Sequence, residues 1–416
     1  MNLPHRPETL QLLEGGQQYF PALIRAIDGA LAWVQFETYI FDVHRAGEAV
    51  AEALLRAARR GVRVEVLVDG IGSEPLPPVW QQKMNEAGVQ WLVYSPLASG
   101  LGGLGLLVPD RWRRLHRKLC VVDQRTVFCG GINVLDDFYD PNHGDLQAAR
   151  FDFAVAVTGP MAAEAAEAMA LLWWRVQAGY SARQNHLAAA WEKFKAAGYG
   201  RRTEAAGLSV PVGPAPAEQG AVGVPGSKAA LVLRDNLRNR GSIEKVYRQA
   251  IGRAHREILI ANAYFVPGGK LRRALIRAAR RGVKVTLLLQ GRYEYFMQYH
   301  AARPVYGALL AAGVEIHEYE ASFLHAKVAV IDGHWATVGS SNLDPLSLLL
   351  ALESNVVIED EVFARELQGR LCAAIAGHGR LLDPVTYSRR PWRQRMLDHF
   401  AHALMRLAIF VTGQRY

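Results

Sequence analysis

One short pattern occurs twice in this chain and constrains its fold more than any other feature. The pattern is a histidine, a lysine two positions later and an aspartate five positions after the lysine. Its members are His116, Lys118 and Asp123 in the first copy, and His325, Lys327 and Asp332 in the second. A Gly-Gly or Gly-Ser pair and an asparagine follow each copy, so that Asn133 and Asn342 are also 209 residues apart. This duplication predicts two similar halves that together carry one site.

The chemistry of the pattern can be argued from its side chains. Each copy lies in an apolar, β-branched segment, 115–122 or 324–331, that is typical of a buried strand. Side chains two positions apart on a strand point to the same face, so each histidine is expected beside its lysine. Imidazole can act as nucleophile or proton donor, and a lysine ammonium stabilises a phosphate that gains negative charge. Two such pairs predict a nucleophile, a general acid and two cations around one phosphodiester.

The complete motif, HxKxxxxD followed by Gly-Gly/Ser-x-Asn, resembles the signature of the phospholipase D superfamily. Within that superfamily the chain is most similar to bacterial cardiolipin synthases, particularly the shorter type B enzymes, from residue 8 to about residue 385. The resemblance implies an α/β fold of two similar phospholipase D-like domains, each a mixed β-sheet flanked by helices. It also implies an active site at their pseudo-two-fold interface and chemistry that needs no metal or other cofactor.

Further internal repeats support this organisation. The nine residues that begin at Arg56 return almost unchanged at Arg277, and the Ala-Gly-Val tripeptide at 87–89 returns at 312–314. Helical and strand patterns alternate around both repeats, which predicts two α/β layers. We expect a first domain over residues 1–198, a linker rich in Gly, Pro and Ala over 199–228, a second domain over 229–385, and a basic amphipathic carboxyl-terminal helix over 386–416.

The first half contains an insertion just before its histidine. The offset between repeats falls from 225 to 209 there, which indicates about 16 extra residues within 96–114. The apolar, glycine-rich part, 101–108, is either a lid or wedge among acyl chains or an ordinary packed loop, and both alternatives stay open. The basic residues Arg111, Arg113 and Arg114 are expected to lie close to the site and to hold a lipid phosphate.

The resemblance also implies roles for residues after each motif. Asp152 and Glu353 begin equivalent predicted strands, and such an acid supports a catalytic histidine by a hydrogen bond that fixes its tautomer. Asn133 and Asn342 are expected to donate hydrogen bonds to phosphate oxygens. Each motif aspartate is an odd number of residues from its histidine, which on a strand places the two side chains on opposite faces. We therefore expect the aspartates to brace the structure rather than contact substrate.

The polar segment 135–150 includes a small group of titratable side chains. Its members are Asp136, Asp137, Asp140 and His143. Their spacing fits no metal-ligand pattern. We therefore predict a surface loop without a bound metal.

Composition narrows the class of partner. The 48 Lys and Arg exceed the 39 Asp and Glu, and the resulting net charge of +9 suits an anionic partner, either phospholipid or nucleic acid. The three cysteines have no metal-ligand spacing and are expected to be free thiols. The amino terminus lacks a signal-peptide pattern and no apolar run reaches about 18 residues, so we predict no transmembrane helix.

The carboxyl-terminal segment predicts a basic amphipathic helix over Trp392–Val411. Its polar residues are Arg395, His399, His402 and Arg406, and its apolar face carries Trp392, Met396, Phe400, Leu404 and Leu407. Such a helix can lie in the interface of an anionic membrane. Packing against its own domain or a dimer partner is the alternative, and the membrane is favoured.

The resemblance implies a cardiolipin synthase. It would transfer a phosphatidyl group from phosphatidylglycerol to a second phospholipid through a phosphatidyl-histidine, with His116 the expected nucleophile and His325 the expected acid. Alternatives are a phospholipase D that hydrolyses headgroups and a phospholipase D-type nuclease, although no nucleic-acid partner is expected. The expected partner is an anionic phospholipid membrane, reached peripherally from the cytoplasmic face of a bacterial inner membrane, and the oligomeric state stays open.

Overall fold

The computed structural model describes residues 8–96, 113–183, 228–235, 239–292 and 296–411. The strands of the first half are β1 (Thr9–Glu14), β2 (Trp33–Thr38), β3 (Arg63–Asp69), β4 (Gln90–Tyr94), β5 (Leu119–Val122), β6 (Thr126–Gly130), β7 (Tyr139–Asp140), β8 (Gly144–Asp145) and β9 (Phe153–Thr158). Those of the second half are β10 (Lys228–Arg234), β11 (Glu257–Asn262), β12 (Lys284–Gln290), β13 (Glu315–Tyr319), β14 (Lys327–Ile331), β15 (Trp335–Gly339), β16 (Glu353–Glu359) and β17 (Gly379–Leu381).

The described helices surround these strands. They are α1 (Gly15–Asp28), α2 (Ala46–Arg59), α3 (Pro78–Ala87), α4 (Pro160–Arg183), α5 (Ser242–Arg253), α6 (Gly269–Arg280), α7 (Phe296–Leu310), α8 (Pro345–Leu349), α9 (Glu361–His378), α10 (Pro384–Ser388) and α11 (Trp392–Val411). Within the ranges given above, no helix is both long and apolar enough to cross a bilayer. The apolar part of the predicted insertion, 101–108, the nearby Arg111 and all of the predicted linker except Lys228 lie outside the described residues.

Each half forms one mixed sheet, as predicted. The first sheet has the order β1-β9-β6-β5-β2-β3-β4, and the second has the order β10-β16-β15-β14-β11-β12-β13-β17. In both sheets three consecutive strands, β2-β3-β4 or β11-β12-β13, run parallel, because a helix connects each to the next. The neighbouring pairs are antiparallel. The two sheets therefore repeat one topology.

The edge strands β1, β10 and β17 were not predicted. Strand β1 pairs antiparallel with β9, β10 with β16, and β17 with β13. No strand was assigned to the amino-terminal residues, and the predicted linker ended at the first residue of β10. Leu10 and Leu12 of β1 are buried, as are Ala229 and Val232 of β10. Strands β1 and β10 have six and seven residues, as β2 and β3 do, so strand length does not explain why they were missed.

The inner faces of the two sheets pack against each other. One hydrophobic cluster combines Leu119, Val121 and Val155 of the first half with Val328 and Val356 of the second. Helices α4 and α9 contribute to the same cluster, whereas the remaining long helices cover the outer faces of the sheets. The halves are consequently joined by a continuous apolar core, and this core fixes how the two motifs face each other.

The motif aspartates brace the strand ends, as predicted. Asp123 accepts hydrogen bonds from the backbone N–H groups of residues 31, 32 and 33, at 2.9, 2.9 and 2.8 Å. Asp332 accepts three equivalent bonds from residues 255, 256 and 257, at 2.9, 2.8 and 2.9 Å. Each carboxylate thereby joins the turn after a motif strand to the start of the neighbouring strand, β2 or β11.

Replacing Asp332 with alanine is expected to destabilise the fold. Three buried or partly buried N–H groups would lose a charged acceptor, which costs about 3 kcal/mol in the free energy of unfolding. Urea unfolding measures this loss, and Asp332→Asn is the matched control because its amide oxygen still accepts hydrogen bonds. An alanine variant of unchanged stability that had lost its activity would instead indicate direct contact with substrate.

Candidate active site

Two short parallel bridges join the halves beside the motif histidines. Residue 115 pairs with residue 352, and residue 151 pairs with residue 324. The backbone N–H of His116 donates to Leu352 O at 3.0 Å, and that of His325 donates to Phe151 O at 2.9 Å. The predicted strands 115–122 and 324–331 are therefore too long: β5 and β14 begin only after the histidines, because the preceding residues pair with the other half.

Each histidine is held by a carboxylate of the opposite half. His116 Nδ1 lies 2.9 and 3.1 Å from the two carboxylate oxygens of Glu353, and His325 Nδ1 lies 2.6 Å from Asp152 Oδ2. Asp152 and Glu353 are thus the supporting acids that sequence reasoning named, but their crossed arrangement was not predicted. With Nδ1 engaged, Nε2 of each ring is the nitrogen available for chemistry.

The two acids are supported differently. Ser340 Oγ donates a hydrogen bond to Glu353. Gly131 occupies the equivalent position near Asp152, where a Cβ atom would lie only 2.3 Å from Asp152 Oδ1. The difference between Gly-Gly in the first motif and Gly-Ser in the second therefore matches the different placement of the two carboxylates.

The motif lysines lie below the histidines. Lys118 Nζ donates to the backbone carbonyl of His116 at 2.9 Å, and Lys327 Nζ donates to that of His325. Both lysine side chains are buried. They place positive charge next to the histidines without lining the open cavity.

Burial and charge shift the protonation of these groups. Burial lowers the pKa of His116 and lowers that of His325 well below its usual value, and the two lysines add to the second effect. Burial also raises the pKa of Asp152 to about 7. Burial opposes ionisation of Glu353 too, but His116 and Lys118 more than offset it and lower its pKa. The arrangement therefore favours neutral His116 beside ionised Glu353, with a proton retained on the pair of Asp152 and His325 near neutral pH.

One cavity of about 670 Å³ receives groups from both halves. It is lined by Tyr39, Arg114, His116, Asn133, Asp137, Asp140, Arg150, Asp152, Tyr264, His325, Asn342, Asp344 and several apolar side chains. Asn133 Oδ1 accepts from the N–H of Ile40 at 3.2 Å, which leaves its amide nitrogen for another acceptor. Asn342 Oδ1 is buried without a hydrogen-bond partner among the described residues.

The segment 135–150 is a surface loop only in part: Phe138, Pro141 and His143 are exposed, as predicted, but other side chains turn inward. Asp137 and Asp140 are buried and line the cavity. Asp137 accepts a bond from the N–H of Gly16, and Asp140 contacts His143 at 2.9 Å and Arg150 at 3.1 Å. These contacts fold the polar side chains inward. In the ranges that the structure describes, no group of three or more His, Cys, Asp or Glu side chains could hold a metal ion.

Sequence reasoning missed several other cavity residues. Tyr39, Tyr264, Arg150 and Asp344 were not singled out. Asp344 is buried, accepts from the N–H of Ser347 at 2.7 Å, and has its pKa raised to about 7 by burial. The available signal was position: Arg150 stands two residues before Asp152, and Asp344 stands two residues after Asn342.

Comparison with known proteins decides the family. A family model described as "Cardiolipin synthase, PLD-like domain" matches residues 23–145 and 247–373. The chain belongs to the PLD-like cardiolipin synthase family. It is 38% identical over 389 residues to Cardiolipin synthase B of Salmonella typhi, covering 92% of this chain and 84% of that protein. It is 36% identical over 394 residues to Cardiolipin synthase B of Escherichia coli strain K12, with the same coverage.

A solved structure extends the likeness to the whole fold of this cardiolipin synthase family member. Phosphatidylserine synthase from Haemophilus influenzae Rd KW20 superposes with a TM-score of 0.67 at 14% identity, covering 98% of this chain and 97% of that one. At this identity the likeness concerns the fold alone. The predicted family and fold are both confirmed.

The buried Lys118 is expected to make stability depend on pH. Burial lowers its pKa to about 7, whereas a lysine in the unfolded chain titrates near pH 10.4. Between these values the unfolded chain binds more protons at this residue, so its contribution to stability rises with pH, by up to about 1.4 kcal/mol per pH unit.

Lys118→Met removes this titration. The difference in free energy of unfolding between wild type and variant is expected to shift in favour of wild type from pH 7 to pH 9. Urea unfolding at three pH values checks this, with Lys83→Met, at a partly exposed lysine, as the control. A constant difference for Lys118→Met would contradict the depressed pKa.

Proposed function

We propose that this protein synthesises cardiolipin by transferring a phosphatidyl group from phosphatidylglycerol to the headgroup hydroxyl of a second phosphatidylglycerol, with release of glycerol. The observation that carries the proposal is one cavity faced by two histidines, each paired with a carboxylate of the opposite half. Family membership supports the choice of phospholipid as the substrate class.

In the first step, His116 acts as the nucleophile. Its Nε2 forms a bond to the donor phosphorus, the phosphorus–oxygen bond to glycerol breaks, and His325 donates the proton that the glycerol oxygen takes up. Ionised Glu353 stabilises the positive charge that develops on the imidazole of His116. The pair of Asp152 and His325 retains a proton near neutral pH, which supports its role as the acid.

In the second step, the same groups work in reverse. His325 removes the proton from the acceptor hydroxyl, the oxygen bonds to phosphorus, and the bond from phosphorus to His116 breaks. Lys118 and Lys327 offset the phosphate charge in both steps from below the histidines. Asn133 and Asn342 are proposed to donate hydrogen bonds to the phosphate oxygens.

Phosphatidylglycerol vesicles without divalent metal test this function. Purified protein is expected to produce cardiolipin and glycerol, resolved by mass spectrometry, and His116→Ala is expected to lower the rate by a factor of about 10³ or more, since no nucleophile remains. Arg365→Ala, in an exposed ion pair on α9, is the control that keeps activity. Phosphatidic acid as the sole lipid product would instead indicate a hydrolase, and no lipid product would redirect the search to nucleic acid.

We further propose that the protein binds the cytoplasmic face of the bacterial inner membrane peripherally, with α11 in the interface. One face of this helix packs on α7, with Asp398, Ala401 and Met405 buried. The apolar side chains on its other face are exposed, namely Trp392, Met396, Phe400, Leu404 and Leu407. The helix therefore packs on its own domain with one face and exposes an apolar face on the other side. The exposed face supports contact with acyl chains.

Polar substitutions on α11 are expected to weaken membrane binding. Phe400→Ser together with Leu404→Ser removes exposed apolar area and should lower the fraction that floats with anionic vesicles several-fold. Leu31→Ser with Val79→Ser is the matched control, because these side chains in the first half are at least as exposed. Equal flotation of both double variants would exclude α11 as the docking element.

A further inference from the structure

Two arginines, Arg114 and Arg150, line the cavity that the histidines share. Arg114 stands two residues before His116, and the equivalent residue before His325 is Phe323. Conversely, Arg150 stands two residues before Asp152, which holds His325. The pseudo-two-fold repeat alone does not account for this pattern, because the position equivalent to Arg150 is Ala351.

The two arginines differ in the hydrogen bonds that their guanidinium groups donate to the protein. Arg114 donates to Asp69 at 3.2 Å and to Ser95 Oγ at 2.7 Å, both within the first half. Arg150 donates through Nη2 to Tyr139 O and, at 3.1 Å, to Asp140.

Arg150 keeps a donor edge for a further acceptor. Among the described residues, the acceptor that its Nη1 reaches is Asp136 O at 3.5 Å, which is the limit of a hydrogen bond. The side chain is 11% exposed and lines the cavity. Its partner Asp140 is also held by His143 at 2.9 Å, so that carboxylate keeps a contact when the guanidinium bonds elsewhere.

Arg150 lines the same cavity as His325 and stands two residues before Asp152, the acid that contacts His325 at 2.6 Å. Its positive charge is close enough to lower the pKa of His325. His325 protonates the leaving oxygen and later deprotonates the acceptor hydroxyl, so both alcohols occupy its side of the phosphorus. The acceptor phospholipid differs from the departing glycerol in one respect that matters here: it carries its own phosphate, three carbons from the attacking hydroxyl.

We propose that Arg150 binds the phosphate of the acceptor phospholipid and so favours transfer to a lipid over transfer to water or a neutral alcohol. The inference rests on the proposed function and adds the subsite for its second substrate. A guanidinium suits this task because its planar fork bonds two phosphate oxygens at once and keeps its charge when partly buried. The product, cardiolipin, has two phosphates: the transferred phosphate lies at the histidines, and the phosphate that the acceptor brings would lie at this subsite.

Competition between two acceptors tests the proposal. Phosphatidylglycerol vesicles are incubated with ethanol, and the ratio of cardiolipin to phosphatidylethanol is measured for wild type and Arg150→Gln. Only the lipid acceptor carries a phosphate, so the ratio is expected to fall roughly tenfold or more in the variant, the size of one lost charge-assisted contact. Because both products arise from the same covalent intermediate, a general loss of activity leaves the ratio unchanged.

Two further variants distinguish phosphate binding by Arg150 from a role in bracing the segment around it. Arg45→Gln removes an arginine that braces the same segment, through Asp145 at 2.7 Å and the ring of Tyr139, but does not line the cavity, and it is expected to keep the wild-type ratio. Arg150→Lys keeps the charge without the fork, so its ratio is expected to lie between those of wild type and Arg150→Gln.

The outcomes are distinguishable. An unchanged ratio in both Arg150 variants, or an equal fall in Arg45→Gln, overturns the subsite. Should Arg150→Gln give no product at all, the ratio of Arg150→Lys decides: a fall supports the subsite and a wild-type value overturns it. Wild type that makes phosphatidylethanol but no cardiolipin overturns the proposed function itself.

Discussion

The structure depends on the exchange of short backbone segments between its halves. Residues on either side of each motif leave their own sheet and form a parallel bridge with the other half, which places His116 opposite Glu353 and His325 opposite Asp152. A hydrogen bond of 2.6 to 3.1 Å tolerates little error in position. The face-to-face packing of the two apolar sheets supplies the rigidity that these pairs require.

The site contains several ionisable side chains that are buried, although burial disfavours their charged forms. Lys118, Lys327, Asp152 and Glu353 are all buried, and removing such groups from water is unfavourable unless they are paired. Opposite charges at close range offset part of this cost, and the remainder appears as shifted pKa values. The shifts differ between the two pairs of histidine and acid, so that two nearly equivalent histidines are suited to different tasks in one reaction.

The sequence predicted most of the fold because the chain repeats itself. A duplicated motif with matched Gly and Asn positions indicated two similar sheets. Asp123 and Asp332 form the expected bracing bonds, although strand parity is not the cause, because both residues lie in the turn after the strand. Strand β10 was not predicted because it follows directly on the segment assigned to the linker. The crossed pairs of histidine and acid were not predicted either. A linear pattern shows which residues recur, but it does not show whether a residue contacts its own half or the other half. Asp137 and Arg150 were read as loop residues, because inward folding of a polar segment depends on tertiary contacts.

The crossed pairs make each half incomplete on its own. A histidine from one sheet always finds its acid on the other, and this would hold equally if two identical half-length chains met about a true two-fold axis. The arrangement of the present chain is therefore that of two similar halves joined end to end. Equivalent positions in these halves differ, as Gly131 and Ser340 or Arg150 and Ala351 do. A site with exact two-fold symmetry would treat its two histidines alike, whereas these differences give His116 and His325 different surroundings.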